Sequence, residues 1–403
     1  QRFPKQEPEA AGTGFPSFIC QQDLSSKSRR RARFMEIFGL LAFVALDAAD
    51  AFAFPSPAAL APSLRPLSLA AGPPFRSRLR RDGNARLSMG AAAPAASSVA
   101  GALSSTADGP YRLTWLEGNS WLWEVGGVRL LVDPVLEGAL NFNIPSLYSG
   151  EKRSLPRTLD GVSSSLGVTD SLDAILITQG LEDHCHARTL NKLKSVLSSR
   201  PPRPSPLPIV TAPSALPTLE SIFSDSTDLV SIVPLRPGES VPVYGDKGVR
   251  VDVTATSGAL VGPPWQDREN GYLVTMPQGL KLYYEPHCDY IPELIKGVSA
   301  DVVITPVTYQ RIFGYAFVKG GQNAVSLIKQ LGARVVAPMN NGELEAKGIL
   351  TSLIKSEGGV EPFKALLAAD HPNRYIVMDI QPGQPADIPI KELLQDRVAV
   401  ETA

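Results

Sequence analysis

The residues best suited to chemistry gather between Ile177 and Leu190, in the run ITQGLEDHCHARTL. It holds two of the four histidines (His184, His186), two carboxylates (Glu182, Asp183) and one of the three cysteines, Cys185. Imidazoles and carboxylates at this density are the donors of a divalent-metal site or of acid–base catalysis. An apolar run, Ala174 to Ile177, stops just ahead of them. The end of a buried strand is where α/β folds place their chemistry. The plain alternative is a polar loop capping the next helix, whose Leu190, Leu193 and Leu197 follow at helical spacing until Pro201. Asp183 would then be an N-cap for a helix beginning near His186. On a helix His184 and His186 would not share a face, so His186 is expected beside the site or on the surface. Glu182 is expected in solvent.

The chain that must position these residues has 403 of them, 43% hydrophobic and 20% charged, with a formal net charge of −1. That is ordinary globular composition, enough for a sizeable core. A near-neutral balance gives no electrostatic case for nucleic acid. Three cysteines (Cys20, Cys185, Cys288) are too few for a disulfide framework and favour a reducing compartment.

Residues 1–107 read as a targeting leader. Arg29 to Arg33 is basic, and Phe34 to Leu46 is apolar but short for a bilayer. Ala49-Asp50-Ala51 offers a cleavage site, giving a signal peptide to about residue 51. From Phe52 to Ala107 the chain is rich in Ala, Ser, Pro and Arg and poor in acids, a transit-peptide composition. A signal followed by a transit segment resembles the two-part leader of algae with secondary plastids, which implies delivery to the plastid stroma; secretion is the alternative. The chain opens on Gln1 rather than Met, so it is expected to be a fragment or to carry upstream residues, with Met35 as a candidate true start.

The remainder, 108–403, is expected to fold as one domain. Tyr111–Trp115, Ser120–Val125 and Val128–Val132 read as strands, the last two joined at Gly126-Gly127. Leu136 to Asp170 has weak periodicity and reads as a long irregular connection. Strand-like runs follow at Pro208–Thr211, Val230–Val233, Val241–Tyr244, Val249–Ala255, Tyr272–Met276 and Leu282–Tyr284, with Ser214 as an N-cap for a helix to Phe223. Strand and helix then alternate: Pro292–Lys296 helix, Val302–Thr305 strand, Gln322–Leu331 helix stopping at Gly332, Val335–Ala337 strand, Pro362–Ala369 helix, Tyr375–Met378 strand. The simplest architecture is α+β: two mixed sheets packed face to face with helices outside, an α-β-β-α sandwich.

The runs LTWLEGNSWLWEVGGVRLLVDP, ITQGLEDH, WQDRENGYLV, LYYEPHCDY, DVVITPV and VVAPMNNG, in this order, resemble the metallo-β-lactamase-fold superfamily. The resemblance is strongest to the ascorbate-phosphate-lactonase-like branch and covers nearly all of 111–380. It implies two metal ions, often zinc, held by an H-x-H-x-D-H motif after a strand together with later His, Asp and His positions. With Thr178 ending the strand, Gln179 and Leu181 stand at the two leading His positions and Asp183 and His184 at the D-H positions. A register using His184 and His186 as the H-x-H pair needs ligands at Arg188 and Thr189 and moves the motif into the helix.

The other implied positions also depart from the pattern. The Gly-His-Ser of this branch is Gly118-Asn119-Ser120, the middle His falls near Ala259 or Leu260, the bridging Asp matches His287, and the final His matches Asn340. The first metal position therefore lacks ligands. The second keeps Asp183, His184 and His287, with the Asn340 amide as a fourth donor. Two imidazoles and a carboxylate suit one zinc or Fe(II) with an open position for water. The expected function is a hydrolase with at most one divalent metal, in which a water bound to that metal attacks an ester, lactone or phosphoester, with Asp183 and His184 as catalytic residues. The alternative is a pseudo-hydrolase without metal that keeps the fold to bind a ligand or protein partner. Asn119, Gln179, His186 and Arg268 are candidate substrate contacts, and Trp265 and Asn270 fall beside the pocket; Arg268 could equally pair with Asp267 or Glu269. Cys185 and Cys288 could be extra ligands, a redox pair, or simply two packed thiols. Asp289 would cap the short helix after it. A small-molecule substrate is expected, with no nucleic-acid or membrane partner for this domain.

Overall fold

The computed structural model describes residues 109–245, 247–261, 268–340 and 343–401. The leader and Trp265 lie outside the described residues. Strands β1 (Tyr111–Trp115), β2 (Trp121–Val125) and β3 (Val128–Val132) form an antiparallel meander. Gly126 and Gly127 both take positive φ, 65° and 95°, as a two-residue hairpin loop demands. The short β4 (Ser149–Glu151) and helix α1 (Leu159–Leu166) follow, then β5 (Ala174–Ile177), α2 (Ala187–Ser198), β6 (Leu207–Thr211), α3 (Leu216–Phe223) and β7 (Val230–Pro234). Strands β3, β5, β6 and β7 pair in parallel, each step crossing through a helix.

The second half repeats this plan. Strands β8 (Ser240–Tyr244), β9 (Arg250–Ser257), β10 (Asn270–Thr275) and β11 (Lys281–Tyr284) form an antiparallel meander. Strand β12 (Val302–Pro306) then pairs in parallel with β11. A hairpin, β13 (Thr308–Ile312) and β14 (Tyr315–Lys319), precedes α4 (Gln322–Leu331) and β15 (Val335–Met339). The chain ends through β16 (Glu345–Lys347), α5 (Ile349–Leu353), β17 (Ile354–Gly358), α6 (Val360–Asp370), β18 (Ile376–Val377), β19 (Ala386–Asp387) and α7 (Ile390–Glu401). The sheet orders are β19-β1-β2-β3-β5-β6-β7 and β18-β15-β12-β11-β10-β9-β8. The expected sandwich is therefore present. The expected strand–helix alternation holds through β12, α4, β15, α6 and β18, and the first half adds the parallel strands β5, β6 and β7 to its antiparallel meander.

Side-chain alternation along the strands assigns the layers. In β2, Trp121, Trp123 and Val125 enter the core between the sheets, whereas Leu122 packs on the other face. In β5, Ala174 and Leu176 face the opposite sheet while Ile175 and Ile177 face the helices. All four are buried, as in a strand covered on both sides. Helices α1, α2 and α3 cover the first sheet and α4 and α6 the second. Among the described residues no helix is long and apolar enough to cross a membrane.

Three local readings need correction. The stretch from Leu136 to Asp170 is not all irregular; it holds β4 and α1, the latter capped by the Thr158 hydroxyl and stopped at Gly167 in the left-handed region. Pro292–Lys296 is a run of turns, so Asp289 caps no helix and instead binds Lys319 Nζ at 2.8 Å. Ser214 is not an N-cap; its hydroxyl accepts the Gly180 N–H at 3.1 Å and ties down the loop after β5. The α4 prediction matches in both bounds, and Gly332 supplies the left-handed C-cap at φ 68°.

Candidate metal centre

The centre forms where strand ends of the two sheets meet. Asp133 follows β3 with φ of 42°, a left-handed conformation that costs energy for a non-glycine residue. Its fully buried carboxylate accepts four bonds. Oδ1 takes the Thr178 N–H (2.8 Å) and Oδ2 takes the Thr178 O–H (2.7 Å) and His184 Nδ1–H (2.9 Å), and it shares the Tyr284 O–H (3.2 Å) with the Asn119 carbonyl at 3.0 Å. The turn after β5 closes with the His184 and Cys185 N–H groups on Leu181 O, at 3.0 and 2.7 Å. It thereby presents Asp183 and His184 together. Because Asp133 holds Nδ1, His184 turns Nε2 toward Asp183 Oδ2, 3.3 Å away. A carboxylate on one imidazole nitrogen, with the other turned to the centre, is the arrangement that orients a metal-bound histidine.

His287, after β11, repeats the arrangement from the second sheet. Its Nδ1–H donates to Glu269 Oε2 at 2.8 Å. Glu269 also accepts Gln179 Nε2–H at 3.0 Å and the Ala259 N–H at 3.0 Å. Glu285 is buried beside Glu269, and burial first and the Glu269 charge second push its carboxyl well above the usual range. Cys288, next in sequence, takes φ of 54°, a second left-handed residue at the centre.

Ligand atoms of Asp183, His184 and His287 converge within 4.8 Å of one another, and the two imidazole centroids are 5.1 Å apart. A tetrahedral ion with bonds of about 2.1 Å needs donors about 3.4 Å apart. The Asp183–His184 pair meets that spacing at 3.3 Å, and Asp183 Oδ1 is buried with no partner among the described residues. The electrostatics also favour a cation. Burial opposes a charged His184, yet the charges of Asp183 and Asp133 outweigh it and raise its pKa well above the ordinary value. Burial likewise opposes ionisation of Asp183, and His184 more than compensates, holding that carboxyl low. A divalent ion at the same point takes over the positive charge that a proton on His184 otherwise supplies. The donor set thus fits one such ion.

The remaining candidates fall around this point unevenly. The buried Asn119 amide lies 3.1 Å from His184 Nε2. Gln179 is spent on Glu269. Asn340 donates to Glu343 at 3.0 Å, and among the described residues its Oδ1 is buried without a partner and is joined to none of Asp183, His184 and His287. Arg268 binds the Gly258 carbonyl at 2.9 Å rather than Glu269. Asn270, opening β10, donates its side-chain amide to the Leu235 carbonyl at 2.9 Å. Helix α2 is not capped by Asp183; its N-cap residue is His186, which is fully buried, not at the surface. The Thr189 hydroxyl already accepts the Leu136 and Glu137 N–H groups, so its O–H donates to His186 Nδ1 at 2.8 Å. Burial first, then Arg188 and Lys152, push His186 down to about 4, so it stays neutral. Glu182 is also mostly buried, with Arg188 3.6 Å away. Cys185 packs between the first sheet and its helices and Cys288 between the second sheet and its own, so they form no pair.

Four partners were missed in the sequence. Asp133 appears there only within the run LTWLEGNSWLWEVGGVRLLVDP, Glu269 only as a neighbour for Arg268, and Thr178 and Tyr284 only as strand residues. A Val-Asp-Pro ending a buried strand was the available signal for Asp133, since a charge there needs partners. Tyr148 is a fifth: burial first and the charge of nearby Asp183 second push its phenol up to about 12.

The loop carrying Asn119 rests on Lys152. That side chain is buried and donates to the carbonyls of Leu116 and Glu117. Burial lowers its pKa to about 7, against partial support from Glu117. The unfolded chain, with lysine near 10.4, binds more protons between these values, so this group makes stability rise with pH from about 7 to about 10. The penalty is fully present below pH 7. Urea melts of Lys152→Met and wild type at pH 6, 8 and 9.5 should therefore differ by a pH-dependent amount, shifting in favour of wild type as pH rises. A constant difference would contradict the assignment.

The family model described as a beta-lactamase superfamily domain matches residues 112–340, more than half the chain and every residue of the centre. No curated protein sequence matches. Among solved structures, a possible metal-dependent hydrolase from Veillonella parvula has 13% identity and a TM-score of 0.44, over 69% of this chain and 100% of that one. An isothiocyanate hydrolase from Delia radicum gut bacteria has 14% identity and a TM-score of 0.42, over 69% and 99%. The diiron β-hydroxylase CmlA of Streptomyces venezuelae has 13% identity and a TM-score of 0.44, over 69% of this chain and 54% of CmlA. With the family match covering the whole centre, the chain belongs to the beta-lactamase superfamily.

Proposed function

We propose that this protein is a hydrolase working with one divalent metal, zinc or Fe(II), held by Asp183, His184 and His287. The substrate class is an ester, lactone or phosphoester. The observation that carries the reading is the convergence of two imidazoles, each with Nδ1 on a buried carboxylate, and one carboxylate oxygen within 4.8 Å. An ion bound there supplies Lewis acidity and an acidified water. The chain's own residues set the stage. Asp133 and Glu269 fix both rings, the Asn119 amide lies against His184 Nε2, and Tyr148 keeps its phenolic proton for a substrate oxygen. Burial of His184 and His287, at 0% and 3% exposure, excludes bulk water and strengthens every charge interaction at the centre.

The same burial favours a second reading, a binding module without turnover, because little ligand surface is open to a substrate. The full chain, stripped with chelator and reloaded with zinc or Fe(II), should be assayed on an aryl ester, a lactone and a phosphodiester. The hydrolase reading expects metal-dependent turnover of at least one class, lost in Asp183→Asn. Metal-loaded protein that turns over none of them would favour the binding module.

A further inference from the structure

We propose that Glu269 is the positioning residue that aims His287 and sets the gap between the two halves of the metal centre. The proposal rests on the single-metal reading for its metal consequences, but its geometry stands apart from that reading. Asp183 and His184 come from the first sheet, after β5, and His287 from the second, after β11. Something must hold these loops in register, because a misplacement of about 1 Å is enough to spoil a coordination site.

Glu269 spans that gap. It is 1% exposed and opens the β10 edge. Its backbone is pinned on both sides, by N–H to Ala259 O and by its own O from Gly258 N–H, both 2.9 Å. The next residue donates its N–H to Thr178 O across the sheets at 2.9 Å. From this fixed base the carboxylate reaches Gln179 of the first sheet and His287 of the second through the same oxygen, Oε2, at 3.0 and 2.8 Å. The other oxygen takes the Ala259 N–H at 3.0 Å. Three N–H donors therefore converge on one buried anion. A place lined by N–H groups suits an anion and repels a cation. Gln179 is thus no metal donor; it is the strut through which Glu269 grips the first sheet. With Nδ1–H fixed on Glu269, His287 has one orientation in which Nε2 can serve the metal.

The first test uses unaltered, metal-free full chain. Long-range 15N–1H correlations of the imidazoles should show His287 protonated at Nδ1; a ring unprotonated at Nδ1 would overturn the proposal whether or not a metal binds. The second test is zinc affinity, by competition with a chromophoric chelator, for wild type, Glu269→Gln, His287→Ala and the double variant. Glu269→Gln should weaken zinc about 10–100-fold. It should add nothing in the His287→Ala background, because Glu269 acts through that ring. Equal affinity of Glu269→Gln and wild type, or the same loss with and without His287, would overturn the proposal. Wild type without zinc affinity would instead remove the single-metal reading, and the imidazole spectrum alone would then decide for Glu269.

Discussion

Replacing His287 with alanine should weaken binding of the divalent ion by far more than about 100-fold, leaving only a weak two-donor site that a competing chelator still reads, with the fold retained. His287 is the sole ligand from the second sheet among Asp183, His184 and His287. Without it, two donors adjacent in sequence remain, and two donors cannot define a closed site for zinc. The loss should exceed the roughly 10–100-fold typical of removing an outer hydrogen-bond partner. The structural cost should be smaller. The ring leaves Glu269 Oε2 with Gln179 still donating, so the charge loses one of its three N–H partners, worth about 1–3 kcal/mol. Elemental analysis together with far-UV circular dichroism separates the two effects. Full metal content in the variant would show that the ion, if present, sits elsewhere.

The largest effect on stability should come from Asp133→Asn. The carboxylate is fully buried and accepts four donors, three of them on Oδ2. An amide of the same shape must turn its NH2 toward one oxygen's donors, so a donor faces a donor in either orientation. Breaking a buried charged partnership of this kind costs about 3–5 kcal/mol. That is a large part of the 5–15 kcal/mol that a typical domain has in total. For a domain of this size the melting temperature should fall by about 10 °C. Denaturant and thermal melts measure this directly. A change under about 1 kcal/mol would mean that water or a shifted loop satisfies these donors. The same substitution frees the His184 ring, so metal affinity should fall with it.

What could be read from the residues, and what could not, divides along a physical line. Alternation and helical spacing located the buried elements, because burial on one or two faces writes a period into the chain. Helix α4 shows this best, with Val325, Ile328 and Leu331 inward and Gly332 at its stop. The hairpin β13–β14 stayed hidden because its small sheet leaves Tyr309, Arg311 and Phe313 partly or wholly exposed, so no clean apolar face marks it. Helix α1 was hidden in a Ser-rich run, where only Leu159 and Val162 are buried. The ligands Asp183, His184 and His287 were accessible through their chemistry and through the family resemblance. Their supports were not. Glu269 lies 90 residues from Gln179 and 18 from His287, and Asp133 lies 51 from His184. No local pattern records that such acids are buried acceptors; only the crossing of two sheets brings them to their donors. His186 shows the converse error. Spacing from His184 left it either beside the site or on the surface, and it is fully buried, with the Thr189 hydroxyl on Nδ1.

The measurement that tests the central claim most directly is anomalous diffraction from crystals of the full chain grown with zinc, recorded on both sides of the zinc edge. The account predicts a single strong peak bounded by Asp183, His184 and His287, with Glu269 still bonded to His287 Nδ1 and to Gln179. Two peaks at the centre, one displaced onto Gln179 and Glu269, or none at the centre, would contradict it.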